Sequence, residues 1–338
     1  MKRRAARPGR DWKVAAACVF VAFPITIFSP FILTPTACAQ EESPGSAPAP
    51  SLSNAGKALG KILKTETDLT LVSVTVTDPM DRSVTGLEQE NFRVFEDGAE
   101  QEIVQFMNED IPVSIGVIFD RSGSMADKID KSKLAAKQFF RTANPQDEFF
   151  LVDFNDRAQL ATPFTLDVDA LQNQLTEAVA RGQTALYDGV YLGLSQMKWA
   201  HNTKKALLII SDGGDNHSRY TEEDVRRFIE EADVQIYAIG LFEPGGGPTP
   251  EEQEGPSLLH DLAEMTGGRE FKVNSLGDLP DIATKISMEL RNQYVIGYRP
   301  SNKGHNGKWR KIKVRLQPPK GLPPLTVYAK SGYFAPAN

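Results

Sequence analysis

The chain has 338 residues, 41% of them hydrophobic and 24% charged, with a net charge of −6. At roughly 150 residues per domain, that length allows about two domains. The charge is uneven: residues 1–39 carry six basic side chains against Asp11 alone, which leaves −11 on the remainder. So acidic a body argues against a nucleic-acid binder, which needs a basic face to displace counterions from phosphates. Both cysteines, Cys18 and Cys38, lie within residues 1–39. The body therefore has no disulfide framework, no thiolate nucleophile and no cysteine-based zinc site.

Residues 1–39 are expected to be a signal peptide. A basic opening precedes an apolar run over 14–33, and Ala37-Cys38-Ala39 places small residues before a cut at Gln40. The run is long enough to span a bilayer, so an uncleaved anchor is the alternative. Pro24 and Pro30 interrupt it, and proline inside a helix is costly. Residues 40–64 form a linker rich in Pro, Ser and Ala with little to bury.

Residues 65–110 read as a β segment. Val72, Val74 and Val76 alternate with Ser73, Thr75 and Thr77, the period-two pattern of a half-buried strand. Apolar runs at 92–95 and 103–106 flank Asp97-Gly98, which predicts a hairpin between them. The pattern then changes over 111–290. A continuous apolar run at 113–119 fits a strand buried on both faces. Predicted helix 127–141, strand 149–154, helices 168–180 and 185–199, and strand 206–210 follow. Helix 221–232, strand 234–239, helix 257–266, strand 270–273 and helix 278–291 complete the series. Alternating strands and helices predict an α/β fold, a doubly wound and mostly parallel sheet with helices on both faces. Residues 291–338 return to β, with strands at 294–298, 312–316 and 325–328. Neither flank has enough strands for a domain alone. The two are expected to pair across the chain into one small β-sandwich. The stripe Lys311, Lys313 and Arg315 is expected on its solvated outer face.

In open α/β sheets, ligands bind beyond the carboxyl ends of the strands. The first core strand is followed by Asp120-Arg121-Ser122-Gly123-Ser124, and the strand at 206–210 by Ser211-Asp212-Gly213-Gly214. Between them, Gly182-Gln183-Thr184-Ala185 opens a helix. Taken singly, Ser122 and Ser124 read as helix caps and Asp212 as a turn residue. Taken together, Asp120, Ser122, Ser124, Thr184 and Asp212 offer two carboxylates and three hydroxyls. That is an oxygen set for a hard cation such as Mg²⁺, which takes an octahedron of oxygens at ~2.1 Å.

These three loops resemble the metal-ion-dependent adhesion site of von Willebrand factor A and integrin I domains, over about residues 111–290. The flanks, through residues 84–87, 92–98 and 294–298, look like a bacterial group of exported proteins of this type. The resemblance implies a Mg²⁺ site at Asp120, Ser122, Ser124, Thr184 and Asp212, with Mn²⁺ or Ca²⁺ left open. It also implies a metal held largely by neutral hydroxyls, which attracts an Asp or Glu of a protein partner. Asp153, Asp156 and Asp188 either support the site hydroxyls by hydrogen bonds or serve as ordinary caps. Asp215 is expected to be turned away by Gly213 and Gly214, and His217 to be a turn residue. The segment 243–255 is long for its place, as a recognition rim or an insertion would be.

Enzyme chemistries fit poorly. Aspartyl-phosphate chemistry needs a second carboxylate where Ser122 stands. Neither Ser122 nor Ser124 has the flanking glycines of a Gly-x-Ser-x-Gly elbow. The dinucleotide and phosphate-loop glycine patterns are missing. The expectation is an exported, non-enzymatic, divalent-cation-dependent protein-binding or adhesion module of the cell envelope, periplasmic, cell-surface or secreted. The alternative is an accessory or assembly factor of an envelope or export complex using the same site. A Mg²⁺-dependent hydrolase is the more distant reading.

Overall fold

The computed structural model describes residues 69–242, 250–273 and 275–337. The expected signal segment 1–39 and linker 40–64 lie outside the described residues. Among the described residues, no helix is long and apolar enough to cross a membrane.

Strand β1 (Thr70–Thr77) follows from the Val72, Val74, Val76 alternation. Asp97 and Gly98 adopt φ of +48° and +87°, the left-handed pair that a two-residue hairpin turn requires. The turn joins β2 (Phe92–Glu96) to β3 (Ala99–Gln101). This corrects the expected partner, since residues 103–106 do not complete that hairpin. Instead β4 (Ile103–Met107) crosses to another sheet. The crossing brings Phe106 inside, with its ring 5.5 Å from Phe92 and 5.7 Å from Tyr294.

The central region begins with β5 (Val113–Asp120), buried at every position. It continues through α1 (Ile129–Thr142), β6 (Glu148–Phe154), β7 (Ala158–Thr165), α2 (Val168–Thr176), α3 (Leu186–Gln196) and β8 (Lys204–Ser211). Then come α4 (Glu222–Glu231), β9 (Gln235–Gly240), α5 (Pro250–Met265), β10 (Glu270–Lys272) and α6 (Leu279–Arg291). The sheet order is β10-β9-β8-β5-β6-β7, parallel except for the antiparallel edge strand β7. The pleat sends Val113, Ile115, Val117 and Phe119 into a core with α1, α2 and α6. It sends Ile118 into a second core with α3, α4 and α5. The doubly wound sheet is therefore as expected. Two details differ. Strand β7 was not foreseen, because Pro163 suits only an edge strand and weakens the pattern. Helix α5 starts seven residues before the expected position 257, despite Gly255 and Pro256. Residues 243–249 lie outside the described residues.

The chain then forms β11 (Tyr294–Tyr298), β12 (Trp309–Leu316), β13 (Thr326–Ala329) and β14 (Gly332–Phe334). The flanks pair across the chain. One sheet runs β13-β1-β11-β4 and the other β14-β12-β2-β3. Val72, Val74, Phe92, Val94, Tyr294, Ile296, Tyr298 and Ile312 share one core between them, so the expected β-sandwich forms. Lys311, Lys313 and Arg315 are exposed on β12, as the alternation predicts.

Arg310, on the inward side of β12, is buried. Its guanidinium donates to Glu96 Oε1 at 2.9 Å and to the carbonyls of Asn302 and Gly304 at 2.6 Å. Glu96 Oε2 accepts from the hydroxyls of Tyr298 and Tyr333. The network is satisfied only when both charges are present. Replacing Arg310 by Met should strand the Glu96 carboxylate in the core and cost about 3–5 kcal/mol. Urea unfolding of the full chain reads this as a lower midpoint, and an unchanged midpoint would contradict it.

Candidate metal centre

The chain leaves β5 outward to β6 and β7, then returns to lay β8 on the other side of β5. The crevice between the ends of β5 and β8 is thus the switch point of the sheet, where α/β folds place ligands. Asp120 ends β5, and Asp212 directly follows β8. Thr184 lies in the loop before α3.

Backbone hydrogen bonds knit the three loops together. Gly123 N–H donates to Gly182 O at 3.0 Å, and Arg181 N–H to Arg121 O at 2.8 Å, joining the first loop to the second. The N–H groups of Asn216 and His217 donate to Thr184 O at 3.0 and 3.1 Å, joining the third loop to the second. Asn216 Oδ1 also accepts from Thr184 N–H. Two glycines are required by this geometry. Gly182 has φ of +84°, and a Cβ there would lie 2.7 Å from the Asp156 carboxylate. Gly213 has φ of +86°, and a Cβ there would lie 2.8 Å from the Gly255 Cα. Gly255, which reads as a helix breaker, is instead where α5 touches the Asp212 loop backbone to backbone.

Asp120 is wholly buried. Its Oδ1 accepts from Ser122 N–H at 2.7 Å and its Oδ2 from the Ser211 hydroxyl at 2.6 Å. Burial first, and the Asp212 charge second, push its carboxyl up to about 7. Ser122, also buried, shares a 3.0 Å hydrogen bond with the exposed Ser124 hydroxyl. Asp212 is buried and accepts from Lys128 Nζ at 3.1 Å. Thr184 is buried beside Asn216. The first and third loops thus carry two mutually repelling carboxylates. One has a lysine partner, and the other has only neutral donors. Among the described residues, no group of three or more His, Cys, Asp and Glu side chains could hold a metal. A cation at these loops would therefore draw on hydroxyl oxygens, and the five candidates supply that donor chemistry. The residues present fit a hard divalent ion.

The neighbouring acids hold loops. Asp188 accepts from the N–H groups of Arg219 and Tyr220 at 2.9 and 3.1 Å, fastening the third loop to α3. Asp156 accepts from Gln183 N–H at 2.8 Å. Asp153 faces Arg121 at 3.3 Å. Asp215 turns to Tyr187 N–H and the Ser218 hydroxyl, away from Asp212 as Gly213 and Gly214 suggested. Ser211, Lys128 and Asn216 were missed by sequence reasoning. Only Ser211 had a signal, its position directly before Asp212. A larger cavity of about 880 Å³ opens where the strands begin, lined by Leu71, Lys204, Gln235 and Trp309 among others. It is separate from these loops.

Residues 115–214 match the family model of the von Willebrand factor type A domain. An uncharacterised protein of Borreliella burgdorferi is 24% identical over 181 residues, covering 49% of this chain. The chain spans about half, 52%, of that relative. Among solved structures, a von Willebrand factor type A protein from Catenulispora acidiphila is 12% identical. It covers 79% of this chain and 75% of its own, with a TM-score of 0.48. The conserved hypothetical protein BatB from Bacteroides thetaiotaomicron is 20% identical over 52% of this chain and 98% of its own, TM-score 0.43. The vWF domain of the type V pili tip protein Mfa5 from Porphyromonas gingivalis is 12% identical over 54% and 97%, TM-score 0.42. The match over residues 115–214, which hold most of β5, all of β6 to β8 and the five candidate residues, identifies a von Willebrand factor type A domain within this chain.

Proposed function

We propose that the chain is an exported, non-enzymatic binding protein of the cell envelope, which recognises an acidic side chain of a protein partner through a divalent cation. The domain type is that of a protein-interaction module. The observation that carries the finer reading is Asp120, wholly buried and bonded, among the described residues, to two neutral donors and to no cationic side chain. Asp120, Ser122, Ser124, Thr184 and Asp212 would hold the ion, with Mg²⁺ the best match to hydroxyl-rich oxygen donors. Bound there, the ion supplies a Lewis-acidic position for a carboxylate. Ser211 fixes the Asp120 carboxylate in place, and Asn216 fixes the Thr184 backbone.

The expected outcome is that Mg²⁺ binds the full chain with a calorimetric signal and raises its Tm. A ligand at a hundredfold its Kd stabilises the folded state by about 2.7 kcal/mol. Asp120→Ala should lose both effects. Capture of a partner from envelope extract should require Mg²⁺, reverse with EDTA and fail with Asp120→Ala. Capture indifferent to chelation would overturn the reading.

The pH dependence has a definite sign. The folded carboxyl of Asp120 titrates near 7 and the unfolded one near 3.8. Between those values the folded protein keeps a proton that the unfolded chain has released. Asp120's contribution to metal-free stability therefore falls as pH rises through that window. A cation must displace the same proton, so Mg²⁺ affinity should fall by up to about tenfold per pH unit below 7. Calorimetry at several pH values tests this, and a flat profile from pH 5 to 8 contradicts it.

Lys128 holds Asp212 and repels an incoming cation. Lys128→Met should therefore tighten Mg²⁺ binding about three- to tenfold, the scale of one partly buried charge interaction. Weaker binding in that variant would show that the lysine orders the loop instead.

A further inference from the structure

Beside the candidate centre lies a cleft of about 530 Å³, lined by Arg121, Asn155, Asp156, Arg157, Gln159, Arg181 and His217. Its three guanidiniums come from three separate segments: the loop after β5, the turn between β6 and β7, and the loop carrying Thr184. The cleft borders the centre directly. Arg121 stands between Asp120 and Ser122, Arg181 N–H bonds to Arg121 O at 2.8 Å, and His217 N–H bonds to Thr184 O at 3.1 Å.

Two of the three guanidiniums of this cleft, those of the exposed Arg157 and Arg181, have no ion pair among the described residues. Arg121 faces the buried Asp153 at 3.3 Å, yet its Nε is buried without a hydrogen-bond partner. Asp156 is the carboxylate in the lining and accepts from Gln183 N–H at 2.8 Å, and with Asp153 it offsets two of the three guanidinium charges, which leaves one positive charge in excess. The cleft is thus locally cationic on a body that carries −11 beyond residue 39. Guanidinium forks match carboxylates in geometry as well as charge.

We propose that this cleft is a second carboxylate subsite, so that the partner segment is acidic at more than one position. One acid would lie at the centre and a neighbouring acid among Arg121, Arg157 and Arg181. The inference rests on the metal-dependent reading for the position of the first acid, while the subsite itself rests on the arginines alone. The stripe Lys311, Lys313 and Arg315 is the competing basic surface, but Arg315 already lies over the Phe95 ring at 4.8 Å. That stripe is the exposed face of a sandwich strand.

Two fluorescent peptides test the idea on the full chain by anisotropy: hexaglutamate, and a glycine peptide holding a single glutamate. In Mg²⁺ the wild type should bind hexaglutamate about tenfold or more tightly than the single-glutamate peptide, the scale of one charge-assisted bidentate contact. The double variant Arg157→Ala/Arg181→Ala should lose that preference while keeping its Tm, its calorimetric Mg²⁺ binding and its affinity for the single-glutamate peptide. A double variant Lys311→Ala/Lys313→Ala should keep the preference. The proposal is overturned if the arginine variant retains the preference, if the lysine variant abolishes it, or if the wild type shows none. The two readings fail separately. Hexaglutamate binding that survives EDTA but needs the arginines upholds the cleft and removes the metal reading. Binding lost with EDTA and in Asp120→Ala, but indifferent to the arginines, does the reverse.

Discussion

The two hydrogen bonds that Asp120 accepts, from Ser122 N–H and from the Ser211 hydroxyl, are the constraint around which the carboxyl edge of the sheet is arranged. They tie the end of β5 to the end of β8 at the one place where the winding of the sheet reverses. A hydrogen bond to a charged group contributes about 1.5–3 kcal/mol. Burying a carboxylate without a counter-charge costs several kcal/mol. The two donors do not offset that cost, which is why the carboxyl is pushed up to about 7. The switch point therefore stores an electrostatic deficit that the packed cores on either side must carry. A structural aspartate would more easily have been an asparagine. The proposed cation would offset the cost of burying an acid there.

A second charged cluster sits at the join between this domain and the sandwich. Arg269, ahead of β10, bonds to Glu289 of α6 and to Asp81 between β1 and β2, and Lys285 of α6 also reaches Asp81. The Arg269 guanidinium lies 4.6 Å from the Tyr328 ring of β13 and 4.7 Å from the Phe271 ring of β10. Beside it, Gln293 bonds to Gln235, Tyr237 and Thr75. Helix α6 is thus held between the sheet core and the sandwich by polar contacts that each need their partner in place. A displacement of α6 would break contacts in both bodies at once, so the flanking strands work as a clamp on the last helix.

How much of this was legible depends on the kind of interaction. The strand at 113–119 and the alternating helices were readable because burial on both faces imposes continuous apolar composition. The cross-chain sandwich was readable because each flank alone lacked strands enough to bury its apolar side chains. Edge elements were not. Strand β7 has Gln159 and Leu160 exposed and Pro163 within it, and β14 is three residues long. The Asp97-Gly98 turn was recognised but its partner was not, because nothing local marks the chain's change of sheet after Glu102. Arg310 lies out of register with the Lys311, Lys313 and Arg315 stripe, so the pleat turns it inward, but nothing local names Glu96 as its partner. The candidate ligands were legible because hydroxyls and carboxylates at strand ends are positioned by topology. Their partners were not, because Lys128 and Asp212 lie 84 residues apart and Ser211 and Asp120 lie 91 apart. No periodicity encodes which side chains meet across such distances.

The charge balance of the centre bears on why its ligand should be acidic. Asp120 and Asp212 oppose a single ammonium, that of Lys128, so the ionised site carries a net charge of about minus one. A divalent cation would reverse that sign and leave one positive charge facing solvent, in a setting where burial weakens screening. One carboxylate from a partner would restore neutrality. A neutral ligand would leave the charge unmet, and a basic one would be repelled by both the ion and the arginine cleft. The arginine cleft bears on how the proposed acidic partner would approach an acidic body. Arg121, Arg157 and Arg181 line the cleft beside the centre, so an acid that enters it would meet guanidiniums and not the acidic body as a whole.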